Sequence, residues 1–186
     1  MKKYLFTDVD DVTDEDIDIK GEEYAKLIDR LFQYGKIFSL QVPSHRMDYI
    51  DEIKRFALTP KLNADKIWTF ETDDGSYDMH DSYQDYSLKF FLCNDITKDF
   101  LINKIGCIFE YLWPNGKYSN DVPMDLEVFR DYPFTYPFIR NDPSCLYFST
   151  THEGYAILTI NDDEDFSDLL SENWKQVDID FFPCWG

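Results

Sequence analysis

The stretch CLYFSTTHEGYAILTI, residues 145–160, carries the strongest local fold signal of the chain. Two runs rich in aromatic and β-branched residues, 145–150 and 155–160, flank the tetrapeptide Thr151-His152-Glu153-Gly154. Such runs, separated by a short loop that contains glycine, are typical of an antiparallel β-hairpin. The sequence therefore predicts two neighbouring antiparallel strands here.

Outward from this hairpin, alternating or apolar runs predict six further strands, at 3–8, 36–42, 66–71, 87–93, 107–113 and 177–182. Helical spacing of apolar residues predicts a helix over 21–34, and Gly35 stands where a helix commonly ends. Two more helices are predicted, one from Ser44 to Ala57 and one that follows Asn94-Asp95 and runs through Phe100, Leu101 and Ile105, together with a short helix that opens at Pro123. A last helix is expected to carry Phe166, Leu169, Leu170 and Trp174.

Helices and hairpins are mixed along the chain, and no linker, repeat or low-complexity run interrupts it. This order predicts one α+β domain over residues 1–186, with a mixed or antiparallel sheet and about four to five helices. A doubly wound α/β arrangement of the first half is the alternative.

The composition is acidic and aromatic. The 37 Asp and Glu residues outnumber the 18 Lys and Arg residues, which gives a net charge of −19, and Phe, Trp and Tyr make up 18% of the chain. A chain with this charge repels nucleic acid phosphates and anionic lipids, so neither is expected as a partner.

The cysteines and the apolar runs indicate a cytoplasmic protein. The beginning MKKYLFTDVDD contains no apolar stretch of the length that a secretory signal needs, and no run approaches a membrane span. The four cysteines are widely spaced, which is unlike the paired thiolates of a structural zinc site. We therefore expect free thiols at Cys93, Cys107, Cys145 and Cys184, and neither metal nor cofactor.

The segment ETDDGSYDMHDSYQDY, residues 71–86, is a candidate recognition surface. It lies in a stretch without basic residues between Lys66 and Lys89, and it has almost no aliphatic residues. Tyrosine, serine, glycine and aspartate are typical of recognition loops, although a solvated connecting loop has the same composition. The predicted partner-binding residues are Asp73, Asp74, Tyr77, Asp78, Asp81, Tyr83, Asp85 and Tyr86.

A concentrated negative field attracts a basic partner and accelerates its capture. We therefore expect a small cytosolic binding protein without catalytic activity that neutralises a basic protein, such as a nuclease or a toxin. Immunity proteins and anti-defence inhibitors act in this manner. A regulatory domain that binds a ligand is a further alternative.

One local motif suggests an enzyme instead. YLFTDVDDVT, residues 4–13, is a hydrophobic strand followed by D-x-D-x-V, and it resembles the first motif of the haloacid dehalogenase-like phosphotransferases. The resemblance implies a magnesium-dependent phosphohydrolase, with Asp8 as nucleophile and Asp10 as general acid and base. The other residues that the resemblance implies are the acidic pair Asp73 and Asp74, the phosphate ligand Ser44, and Lys61 or Lys66.

The acidic segment from Asn161 to Glu172 has part of the ligand spacing of a calcium loop. However, Phe166 stands at its sixth position, where the EF-hand has glycine. The carboxylates also suit the first turn of a helix, so the sequence favours a helix start over a metal site. No second residue accompanies His45, His80 or His152 at the spacing of a local metal or catalytic motif.

Overall fold

The protein is described here from a computed structural model. The structure describes residues 1–7, 17–43, 48, 50–62, 68–72, 79–80, 86–108, 138–139, 145–150 and 154–178. Within these residues the predicted hairpin is confirmed. Thr150 pairs with Tyr155 across the four-residue loop, and Gly154 has a φ of 64°, a left-handed conformation that favours glycine.

The described strands are β1 Lys2–Thr7, β2 Ile37–Pro43, β3 Ala57–Leu62, β4 Trp68–Thr72, β5 Met79–His80, β6 Tyr86–Leu92, β7 Phe138–Ile139, β8 Cys145–Thr150, β9 Tyr155–Ile160 and β10 Lys175–Val177. They form one antiparallel sheet in the order β10-β1-β9-β8-β7-β2-β6-β3-β4, and β5 pairs with β6 outside this order. The hairpin provides β8 and β9, which places it between β1 and β7.

Two α-helices lie in the described part of the chain, α1 at Gly21–Tyr34 and α2 at Asp95–Phe100. A π-helical turn, Leu101–Ile105, continues α2 and ends at Gly106, whose φ is 79°. The side chain of Asn94 accepts hydrogen bonds from the backbone N–H groups of Ile96 and Thr97, so it caps the start of α2.

One face of the sheet packs on α1 and on the α2 segment. Helix α1 buries the stripe that its spacing predicts, Tyr24, Leu27, Ile28 and Leu31. These side chains join Phe6, Phe38, Phe91 and Leu158 of the sheet in the main hydrophobic core. Residues that alternate with them along the strands, including Phe90, Phe148 and Ile157, are buried as well. The central strands are therefore covered on both faces.

The α+β prediction is confirmed, with an antiparallel sheet, and the α/β alternative is wrong. The number of helices is also wrong, because two α-helices are described where four to five were expected. The short helix predicted at Pro123 lies outside the described residues. So does most of the strand predicted at 107–113, of which Cys107 forms an isolated bridge with Lys20.

The helix predicted from Ser44 to Ala57 is wrong in its described part. Hydrogen bonds three residues apart form turns there, followed by a 3-10 helix at Lys54–Phe56. Ala57 instead opens β3 and pairs with Phe91 of β6. Ile50 and Ile53 are buried as the stripe predicts, because residues three apart also share one face of a 3-10 turn.

Candidate functional site

Residues 161–172, called the acidic turn below, follow β9 and carry six acidic residues without a lysine or arginine. The predicted last helix is wrong, because these residues form a series of turns. The N–H of Asn161 donates to Glu164 Oε2 at 2.8 Å, and the N–H of Glu164 donates to the Asn161 carbonyl at 3.1 Å. Farther along, the N–H of Leu169 donates to the Phe166 carbonyl at 2.9 Å.

Local polar groups and contacts with α1 explain why no helix forms here. The carboxylate of Asp165 accepts hydrogen bonds from the N–H and the hydroxyl of Ser167, at 3.0 and 2.7 Å. The hydroxyl of Tyr34 accepts the N–H of Asp165 at 3.0 Å, and the guanidinium of Arg30 donates to the Asp165 carbonyl. Aspartate and serine side chains that bond the nearby backbone compete with helical hydrogen bonding.

Two buried aromatic side chains attach the acidic turn to the core. Phe166 is 1% exposed, and its ring centroid lies 5.5 Å from that of Tyr34. Trp174, just beyond the turn, packs at 5.2 Å on Phe6 of β1. The turn therefore has a defined position against α1 and β1, although it lacks the regular hydrogen bonds of a helix.

The carboxylates of the acidic turn face solvent, except for the half-buried Glu164. One nitrogen of Arg30 donates to both oxygens of Asp168 at 3.1 Å. The hydrogen bonds from Ser167, with a smaller contribution from the charge of Arg30, hold the pKa of Asp165 below its usual range. Among the described residues Asp163 and Glu172 have no cationic partner. The surface therefore stays strongly negative.

A groove of about 200 Å³ lies between α1 and the acidic turn, and it is called the α1 groove below. Apolar side chains form much of its lining, and Glu23, Lys26 and Asp168 bring charge to it. The ammonium of Lys26 lies 3.1 Å from Glu22 Oε1, one helical turn away. Glu23 has no ion-pair partner among the described residues. The remaining lining residues are Ile19, Leu27, Leu169, Leu170, Ser171 and Trp174.

Sequence reasoning did not find this groove. The Arg30–Asp168 contact joins residues 138 positions apart, and the groove beside it forms only when α1 meets the acidic turn. The available signal was indirect: a helix with two glutamates in its first turn, and an acidic segment that is followed by a tryptophan.

Most of the predicted recognition segment lies outside the described residues. Asp73, Asp74, Tyr77, Asp78, Asp81, Tyr83 and Asp85 belong to that part, and Tyr86 opens β6 with its backbone paired to Pro43. Within the segment, Met79 and His80 form β5 against Leu88 and Ser87. The segment is therefore divided by a short strand.

The residues of the phosphohydrolase alternative are likewise not described, apart from the backbone of Lys61 in β3. Asp8, Asp10, Asp73, Asp74, Ser44 and Lys66 lie outside the described residues. Where the structure describes the chain, it brings no three metal-ligating side chains together. Cys93 and Cys107 are free thiols, and burial raises the pKa of Cys93, which disfavours the reactive thiolate.

The chain matches no known protein-family model, no curated protein and no solved structure. Among the described helices, none has the length and apolar character that crossing a membrane requires.

Proposed function

We propose that this protein binds a basic protein partner, such as a nuclease or a toxin, and neutralises it. Immunity proteins and anti-defence inhibitors act in this way. The observation that carries the proposal is the acidic turn, where six carboxylates without a neighbouring lysine or arginine in sequence are anchored on the core through Phe166. A basic protein that handles nucleic acid has a positive groove for phosphates, and an array of carboxylates is complementary to that groove.

The charge of the whole chain acts in the same direction. A net charge of −19 attracts a basic protein over long range and raises its rate of association, typically by 10- to 1000-fold. The anchored turn adds a local feature, because a backbone that the core already holds in place loses less conformational freedom on binding than a mobile one. Steering and local complementarity together support a binding role.

The alternatives receive less support. Strand β1, which precedes the Asp8–Asp10 motif, has antiparallel neighbours on both sides, whereas open α/β enzymes place their sites at the carboxyl ends of parallel strands. The α1 groove, at about 200 Å³, is smaller than the roughly 300 to 1,000 Å³ of most small-molecule sites. A protein partner therefore suits the described surface better than a drug-sized ligand.

The experiment identifies the partner and then measures its rate of association. The immobilised chain captures proteins from a lysate of the source cells, and each captured basic protein is purified and tested by stopped-flow mixing. We expect inhibition of that protein at one-to-one stoichiometry, and an association rate that falls at least about tenfold between low and high salt. A rate that is insensitive to salt, or a complex that leaves the partner fully active, would contradict the proposal.

Three matched variants, each lacking four acidic charges, locate the interface. The first changes the acidic turn (Asp162→Asn, Asp163→Asn, Glu164→Gln and Glu172→Gln). The second changes the predicted recognition segment (Asp73→Asn, Asp74→Asn, Asp78→Asn and Asp81→Asn). The control changes exposed acids elsewhere (Asp51→Asn, Glu52→Gln, Asp95→Asn and Asp99→Asn). The variant that touches the interface slows association more than the control, and equal slowing by all three would mean that only net charge matters.

A further inference from the structure

The α1 groove combines an apolar lining with carboxylates at its border. Leu169, Leu170 and Trp174 supply the apolar part, and Glu23 and Asp168 supply negative charge. A long cationic side chain matches this arrangement, because its hydrocarbon stem packs on apolar surface while its charged end stays among the carboxylates.

The size of the groove fits a single side chain. A water molecule takes roughly 30 Å³ in the liquid, so a groove of about 200 Å³ has room for about seven non-hydrogen atoms, the number in an arginine side chain. Drug-sized ligands need a larger volume. The volume of the groove therefore suits a single side chain presented by another molecule.

The charges beside the groove favour a cation even though Lys26 contributes to its lining. The Lys26 ammonium is paired with Glu22, which leaves Glu23 as a carboxylate without an ion-pair partner among the described residues. Asp168 receives two hydrogen bonds from one nitrogen of Arg30, and a carboxylate offers about four acceptor positions. Both residues line the groove, and each keeps acceptor positions for a second guanidinium.

We propose that the α1 groove receives an arginine side chain of the basic partner, with its guanidinium at Glu23 and Asp168. This inference rests on the proposed function, because it names the group by which the partner is anchored. Arginine is preferred over lysine because its planar fork pairs with carboxylates and is weakly hydrated, and arginine is enriched at protein interfaces where lysine is depleted. A second copy of this chain is a poor occupant, since two molecules of charge −19 repel each other.

The test uses blocked tripeptides of the form glycine–X–glycine, where X is arginine, lysine or citrulline, the neutral isostere of arginine. Each peptide is titrated into the isotopically labelled full chain at physiological salt, and binding is followed by chemical shifts of the backbone amides and the Trp174 indole N–H. We expect arginine to shift signals of the groove residues, citrulline to shift none, and lysine to bind several-fold more weakly.

Two single-charge variants distinguish binding in the α1 groove from attraction by the overall negative charge of the protein. Glu23→Gln should weaken arginine binding about fivefold, since one of the two carboxylates is lost. Glu172→Gln removes one charge from the exposed part of the acidic turn outside the groove, so it should change the affinity less than twofold. Equal effects of the two variants, shifts spread over the whole acidic turn, or equal binding of citrulline or lysine would each overturn the proposal.

The titration requires no partner protein, so its result is separate from that of the capture experiment. If a basic partner binds with salt sensitivity but the arginine peptide leaves the groove signals unchanged, the arginine site in the α1 groove is refuted. The proposed function then still stands. Arginine bound in the groove, with no basic protein that the chain inhibits, would refute the proposed function instead.

Discussion

Replacing Phe166 with alanine tests whether a buried side chain, rather than helical hydrogen bonding, holds the acidic turn. Phe166 is 1% exposed and packs at 5.5 Å on the ring of Tyr34. Truncating a buried phenylalanine to alanine costs about 3–5 kcal/mol, from lost transfer free energy and from the cavity that remains. For a chain of this size each kcal/mol lowers Tm by about 2–4 °C, so Phe166→Ala should lower Tm by roughly 6–20 °C.

Ser167→Ala is the companion variant, and the sign of its effect distinguishes a turn from a helix. In an exposed helical position alanine is more favourable than serine, by up to about 0.7 kcal/mol. In the observed turn the same change removes the hydroxyl that donates to Asp165 at 2.7 Å, and it should destabilise the protein by about 0.5–1 kcal/mol.

Urea unfolding, followed by far-ultraviolet circular dichroism, measures both changes by linear extrapolation. Leu169→Ala serves as a control for packing, because Leu169 is half-buried and should lose about half as much stability as Phe166→Ala. A loss below about 1 kcal/mol for Phe166→Ala, or a gain for Ser167→Ala, would refute the reasoning about the turn.

Two further predictions concern pH and helix capping. Because hydrogen bonds from Ser167 lower the folded-state pKa of Asp165, its contribution to stability is complete above the ordinary aspartate pKa of about 3.9 and is lost as pH falls through the lowered value. The Tm difference between the unmodified chain and Asp165→Asn should therefore be constant from pH 5 to 7 and should shrink as the pH falls below the ordinary aspartate pKa; a difference that stays constant into acid would contradict it. Asn94→Ala removes the cap of α2 and should lower the free energy of unfolding by about 0.5–2 kcal/mol, whereas Asn103→Ala, an exposed control, should have a smaller effect.

The parts of the fold that depend on neighbouring residues were predictable from the sequence. The hairpin of β8 and β9 follows from its strand composition and its glycine-containing loop, and α1 follows from its apolar spacing and from Gly35. In both cases the local preference and the tertiary contacts favour the same structure.

The sequence prediction failed where one apolar pattern suits two structures. Ile50 and Ile53 are buried in 3-10 turns, and Phe166 and Trp174 are buried beside irregular turns. The helical spacing therefore predicted which side chains enter the core, but it wrongly predicted α-helices in both regions. Contacts distant in sequence decide between the structures, as when Ala57 pairs with β6. The α1 groove was not predictable for the same reason, since α1 and the acidic turn meet only in the folded protein.

The anchoring of the acidic turn has a consequence for binding. Phe166 holds the backbone that carries these carboxylates close together in the absence of any partner, so their mutual repulsion is part of the folded state. A ligand that binds only the folded chain stabilises it by RT ln(1 + [L]/Kd), and a cationic ligand also relieves this repulsion. The turn has no lysine or arginine from 161 to 172 that could relieve this repulsion. A basic protein therefore supplies the positive charge that the turn itself lacks.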